Sequence, residues 1–272
     1  MFKRILPGAV IERNLRYRFE RDGKYIDGEL DGLVAFGPVL ILIEAKSGPV
    51  SHAALRGATE SLRQDLRNVI GDAYGQATKA RGYILGQELV TFIRPDGSEC
   101  KLRRSDFSEL YLTTASLESL DVFVMRLAQL QELGILAAGE HPWAVSLLDL
   151  EVFADLIEWG PQFIHYLRRR VPLNQLSVFA MEELDLLGAY LENGLRLPPE
   201  AALGAPVHLT THTEKMDDYY HYRHGIRMTP ADPPRMNLHQ RSRDAVATAN
   251  RQEDADALNE IAAILDAAFP RS

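Results

Sequence analysis

From Glu29 to Phe36 the chain mixes apolar and polar residues. From Val39 to Ile43 it is wholly apolar and largely β-branched, and the run ends in Glu44-Ala45-Lys46. An unbroken apolar run of this length predicts a strand buried on both faces. Gly37-Pro38 lies between the two segments and predicts a turn, so arms at about 29–36 and 39–46 form a β-hairpin. Successive side chains of a strand point to opposite faces. Glu44 and Lys46 therefore share a face, as do Glu29 and Asp31, and pairing about the turn brings Asp31 near Glu44.

Ser47-Gly48-Pro49 ends the second arm. Leu62, Leu66, Val69, Ala73, Ala77 and Ala80 then recur at three- and four-residue steps and predict a helix over about 54–81. Asp72, Gln76 and Lys79 run along a neighbouring face, and Gly71 and Gly75 permit close approach to the sheet or a substrate. Segments 89–94 and 100–103 flank the turn Pro95-Asp96-Gly97-Ser98 and predict a second hairpin that projects from the core. A strand at 109–114, a helix at 116–132 capped by Ser116, a strand at 143–148 and a helix capped by Asp149 through Ile157 follow. This order implies an α/β core over residues 1–170.

Beyond it, residues 171–272 read as mostly helical. Pro172 stops a helix ending in Arg168-Arg169-Arg170, whose charges suit its C-terminal dipole or, alternatively, a DNA backbone. Val178 to Asn193 predicts a helix stopped by Gly194, with Glu182, Glu183 and Asp185 as ordinary acids of its first turns. Pro198 to Pro206 reads as a linker, 200–250 as mainly irregular, and Asp254 to Phe269 as a closing helix with Leu258, Ile261 and Leu265 inside. His208, His212, His221 and His224 lack the spacing and cysteines of a zinc site; the interleaved tyrosines predict packing against the core, with base stacking as the alternative.

The chain of 272 residues can bury a full core. Its net charge of −8 argues against a protein that coats nucleic acid non-specifically, yet leaves room for a local basic cleft. Arg13, Arg16, Arg18, Arg21 and Lys24 make the opening segment such a place: a phosphate-contacting arm, or the charged outer face of a short helix or edge strand. The single cysteine, Cys100, precludes an internal disulfide. With no signal-peptide core and no membrane-length apolar run, the expectation is a cytoplasmic protein that does not engage a membrane.

Clustered carboxylates repel unless a hard cation lies between them, and Mg²⁺ is held by one or two carboxylates, waters and phosphate oxygens. An adjacent lysine can position or deprotonate a water, or hold a phosphate as a point charge. Asp31, then Glu44-Ala45-Lys46 across a short turn, resembles the PD-(D/E)xK nuclease superfamily. Gly28-Glu29-Leu30-Asp31-Gly32-Leu33-Val34 with Ile43-Glu44-Ala45-Lys46-Ser47 is similar to its NERD and Mrr-like branches. No proline precedes Asp31, a departure at a loosely kept position.

The resemblance spans roughly the first half of the chain. It implies an α/β fold with a restriction-endonuclease-like core, a central mixed sheet flanked by helices, and an α-helical C-terminal extension. Asp31, Glu44 and the Ala45 carbonyl would hold Mg²⁺ or Mn²⁺, Lys46 would be catalytic, and Gln76, from the pair Gln76-Ala77, would orient the water or Lys46. Glu29 is a third or more distant carboxylate, and Glu12 or Glu20 an additional one. The expected activity is hydrolysis of DNA, in defence against foreign DNA or in repair; RNA is the alternative substrate and a second copy of the chain an alternative partner. The rival reading is a catalytically silent nuclease-fold module that binds nucleic acid or a protein. No Walker-type glycine loop supports nucleotide triphosphate hydrolysis.

Overall fold

The apolar run becomes strand β3 (Val39–Lys46) of a mixed seven-stranded sheet, with Val39, Leu40, Ile41 and Leu42 fully buried. Burial of side chains of this size contributes about 1.5–3 kcal/mol each, which fixes the strand at the centre. The computed structural model describes residues 1–21, 23–48, 50–117, 120–139, 141–250 and 255–270. Pro49, expected to break the strand, and Asp254, expected to open the last helix, lie outside the described residues.

The chain opens with a short helix α1 (Phe2–Ile5), then β1 (Val10–Arg21), β2 (Lys24–Phe36) and β3. Helices α2 (His52–Leu55), α3 (Thr59–Leu66) and α4 (Asp72–Leu85) follow, α3 and α4 being joined by a π-helical turn at Arg67–Gly71. Strands β4 (Leu89–Ile93), β5 (Glu99–Arg103) and β6 (Glu109–Ser116) precede two short helices, α5 (Asp121–Val124) and α6 (Leu127–Glu132), and β7 (Trp143–Ser146). The sheet order is β5-β4-β1-β2-β3-β6-β7. β1, β2 and β3 form an antiparallel meander, while β6 runs parallel to β3 and β7 parallel to β6. Antiparallel neighbours need only a tight turn, whereas the β3–β6 crossover needs the intervening helices.

Contacts divide the chain into two compact units, 8–120 with 127–148, and 1–7 with 121–126 and 149–272. The sheet-bearing unit thus ends at Leu148, short of the expected Arg170. The second hairpin does not project: β4 pairs with β1 through Arg16 and Ile93 and widens the sheet. Ser116 is no cap but the last residue of β6, paired with Lys46 and Ser146, and the single helix expected after it is two short ones. Asp149 lies inside the first turn of α7 (Leu147–Leu156) rather than at its cap.

Gly71 and Gly75 differ sharply. A Cβ at Gly71 would stand 2.6 Å from the Ile135 carbonyl oxygen, whereas one at Gly75 would meet nothing within 4 Å. Gly71→Ala is therefore expected to destabilise the protein by roughly 1–3 kcal/mol through overpacking, and Gly75→Ala to stabilise it by about 0.5–1 kcal/mol. Urea midpoints of the two variants should move in opposite directions.

In the other unit, α8 (Gly160–Arg170), α9 (Glu183–Asn193), α10 (Glu214–Arg223), α11 (Gln240–Ala249) and α12 (Ala255–Ala268) dominate, with a two-stranded pairing of β8 (Val178–Phe179) and β9 (Val207–His208). Helix α9 begins later than expected because Val178 and Phe179 pair as a strand, and it ends at Gly194 in left-handed conformation. Helix α8 ends at Arg170, as Pro172 requires, and passes into a 3-10 turn over Val171–Gln175; the expected linker holds another at Pro199–Leu203. The histidine and tyrosine segment is helical through Arg223, its Tyr220 hydroxyl and Arg223 guanidinium both bonded to Asp155. Residues 225–239 are irregular, as the prolines require.

The arginine triplet is largely structural. Arg170 is buried against Glu183, its Nε 3.0 Å from Oε2, and Tyr166 donates to the same carboxylate. Arg169 donates to Asp266 at 2.5 Å and to the Phe269 carbonyl at 2.7 Å. Neither is presented to a DNA backbone, since burial of these cations demands partners inside the protein.

Candidate active site

The site assembles where β2 and β3 end their pairing beneath α4. Gly32 pairs with Ile43, so the next pair in register sets Asp31 beside Glu44. The Ala45 amide donates to Asp31 Oδ2 at 2.9 Å, tying the aspartate across the two strands. Two residues on, Lys46 Nζ donates to Gln76 Oε1 of α4 at 2.5 Å. Asp31, Glu44, Ala45, Lys46 and Gln76 are thus brought together.

Glu44 is the electrostatic anomaly. It is 2% exposed, and its Oε1 is buried without a hydrogen-bond partner. Burial, and then the Asp31 charge, push its carboxyl up to about 8 against the counteracting pull of Lys46. A buried carboxylate left unsatisfied costs several times what a solvated one does. Without a further cation the group is held as a neutral acid at neutral pH.

Glu29 does not join the pair as a third carboxylate. Among the described residues no group of three or more His, Cys, Asp or Glu side chains is poised around one point. Glu29 is exposed and lines an adjoining cleft instead. Of the two additional carboxylates left open, Glu12 is engaged by Arg94 at 2.6 and 2.8 Å, which holds its carboxyl below the usual range. Glu20 pairs by register with Tyr25, near the far end of the β1–β2 ladder.

Two neighbours were not foreseen. Arg13 pairs with Gly32 and Leu15 with Leu30, leaving Asn14 opposite Asp31 with a φ of +50°. Asparagine tolerates that left-handed conformation better than most residues, and its presence inside a strand was the available signal. Tyr17 is buried under Tyr83 and Phe92, and burial together with the nearby Glu44 pushes its phenol up to about 12.

No family model, curated protein or solved structure matches the chain. Among the described residues no helix is long and apolar enough to cross a membrane.

Proposed function

We propose that the sheet-bearing unit is a divalent-metal-dependent nuclease that hydrolyses DNA phosphodiester bonds, built on a restriction-endonuclease-like core. The observation that carries this reading is the buried Glu44 carboxyl with an unpartnered Oε1 beside Asp31. The setting supports it: a mixed central sheet, the motif on an antiparallel hairpin at its middle, and a helix following.

The donor set suits a hard cation. Asp31 and Glu44 offer carboxylate oxygens and the Ala45 carbonyl a neutral one, the ligand chemistry of Mg²⁺ or Mn²⁺. When bound, such an ion supplies an activated water and neutralises charge on the phosphate. Ala45 orients Asp31 through its amide. Lys46 holds the scissile phosphate as a point charge, and Gln76 fixes the ammonium by accepting its proton in a hydrogen bond. Defence against foreign DNA or repair is the setting the resemblance implies.

The test incubates the protein with plasmid, linear duplex and single-stranded DNA in Mn²⁺, beside Lys46→Ala. Cleavage by the wild type alone is expected. Equal cleavage by both proteins would mark a contaminant, and cleavage by neither would favour the silent binding module.

A further inference from the structure

We propose that the cleft beside Gln76 receives an unpaired DNA strand, and that Arg16 and Lys79 bind phosphates flanking the one to be cut. The proposal rests on the nuclease reading for its scissile phosphate, but its binding claim is independent of catalysis. The cleft has a volume of about 940 Å³ and is walled by four elements of one unit. β1 and β2 contribute Arg16 and Glu29, α4 contributes Gln76 and Lys79, and β4 contributes Thr91 and Ile93. Gln76, which accepts from Lys46, is the residue the cleft shares with the site, so the two adjoin through it.

Its charges are suited to a phosphate chain. Arg18 is committed to Asp27, with bonds of 2.6 and 3.1 Å. Arg16 and Lys79 are exposed and have no ion-pair partner among the described residues. Against them stands Glu29 alone, so the cleft carries a local excess of one positive charge in a chain of net charge −8. Two cations on separate elements, spanning a groove, are what tracks a sugar-phosphate backbone.

Its shape favours one strand over two. A space of this size is at the upper end for ligand pockets. A volume of about 940 Å³ encloses a short run of one strand and not the several base pairs of a duplex. The third wall comes from the β4–β5 hairpin, which pairs with β1. Ile93 and the edges of Tyr17 and Tyr83 give that space an apolar lining. The Tyr83 hydroxyl is already spent on the Thr91 carbonyl at 2.7 Å, so this ring is wall and not donor.

Fluorescence anisotropy in EDTA, where metal-dependent cleavage cannot run, tests the proposal with a labelled single-stranded oligonucleotide and its blunt duplex. The single strand should bind at least about tenfold tighter. Arg16→Ala/Lys79→Ala should weaken it by at least about tenfold and reduce the slope of log affinity against log salt by about 1.4, at about 0.7 per cation. Lys101→Ala, whose ammonium pairs with Glu99 on β5 at 2.8 Å, should change neither. Duplex binding as tight as single-strand binding, or a double variant with unchanged affinity and slope, overturns the proposal. Single-strand binding through Arg16 and Lys79 without cleavage in Mn²⁺ upholds it while removing the nuclease reading. Cleavage by a double variant that binds normally removes this proposal alone.

Discussion

Lys46→Ala is expected to slow metal-dependent DNA cleavage by roughly 10²–10³-fold, the scale for loss of one preorganised charge-stabilising group, while leaving the fold intact. Lys46 is half-buried at the end of β3 and its ammonium is already held by Gln76, so little reorganisation stands between the resting site and the loaded one. Lys46→Arg should not restore the rate, because a planar guanidinium cannot occupy the place of a compact ammonium bonded to one amide oxygen. Gln76→Ala should lose about 10-fold or more, as expected of a group that orients a functional side chain. Cleavage at the wild-type rate by Lys46→Ala would remove the lysine from the account.

Glu44→Gln is expected to separate stability from metal binding. In the folded protein the Glu44 carboxyl titrates at about 8, against an ordinary value of 4.5. The native chain therefore keeps a proton that the unfolded chain has released between those two values. Its contribution to stability is fully present below about pH 4.5 and is lost as pH rises to about 8. The amide never ionises and escapes that loss. At pH 8.5 without metal, Glu44→Gln should be more stable than wild type by on the order of 1–3 kcal/mol, the cost of a buried unsatisfied group; at pH 5 the two should nearly coincide. Saturating Mn²⁺ should close the gap or reverse it. Wild type gains about 2.7 kcal/mol at a hundredfold excess over Kd, and the variant gains little. Thermal melts at both pH values, with and without Mn²⁺, read all four quantities. A metal-free wild type as stable at pH 8.5 as its Gln variant would mean that Glu44 is not strained by its burial.

The middle of the sheet was legible because one property dominated it. Val39 to Lys46 could only be a buried strand, and Gly37-Pro38 fixed its turn, so the register that sets Asp31 beside Glu44 followed by counting. The approach of Gln76 to Lys46 was implied by the resemblance through the pair Gln76-Ala77; helical spacing by itself placed Gln76 only on a polar face beside the apolar stripe. What escaped depended on partners distant in sequence. Ser116 looked like a cap because a parallel partner for β6 leaves no local mark, yet pairing with β3 extends that strand by two residues. Asn14 carried no reading of its own, and its left-handed backbone opposite Asp31 is set by the pairing of β1 with β2. Arg169 and Arg170 read as charges for the helix dipole or a DNA backbone since their partners, Asp266 and Glu183, belong to other helices. The helix at Glu214–Arg223 has only Met216 as a buried residue, too little apolar periodicity to declare itself.

Calorimetric titration of Mn²⁺ into the wild-type protein and Asp31→Ala at pH 8 tests most directly whether two adjacent acids at the end of the central hairpin form a cation site. Saturable binding by wild type, lost in Asp31→Ala, is the predicted result. Binding that survives in the variant, or none in either protein, would contradict it.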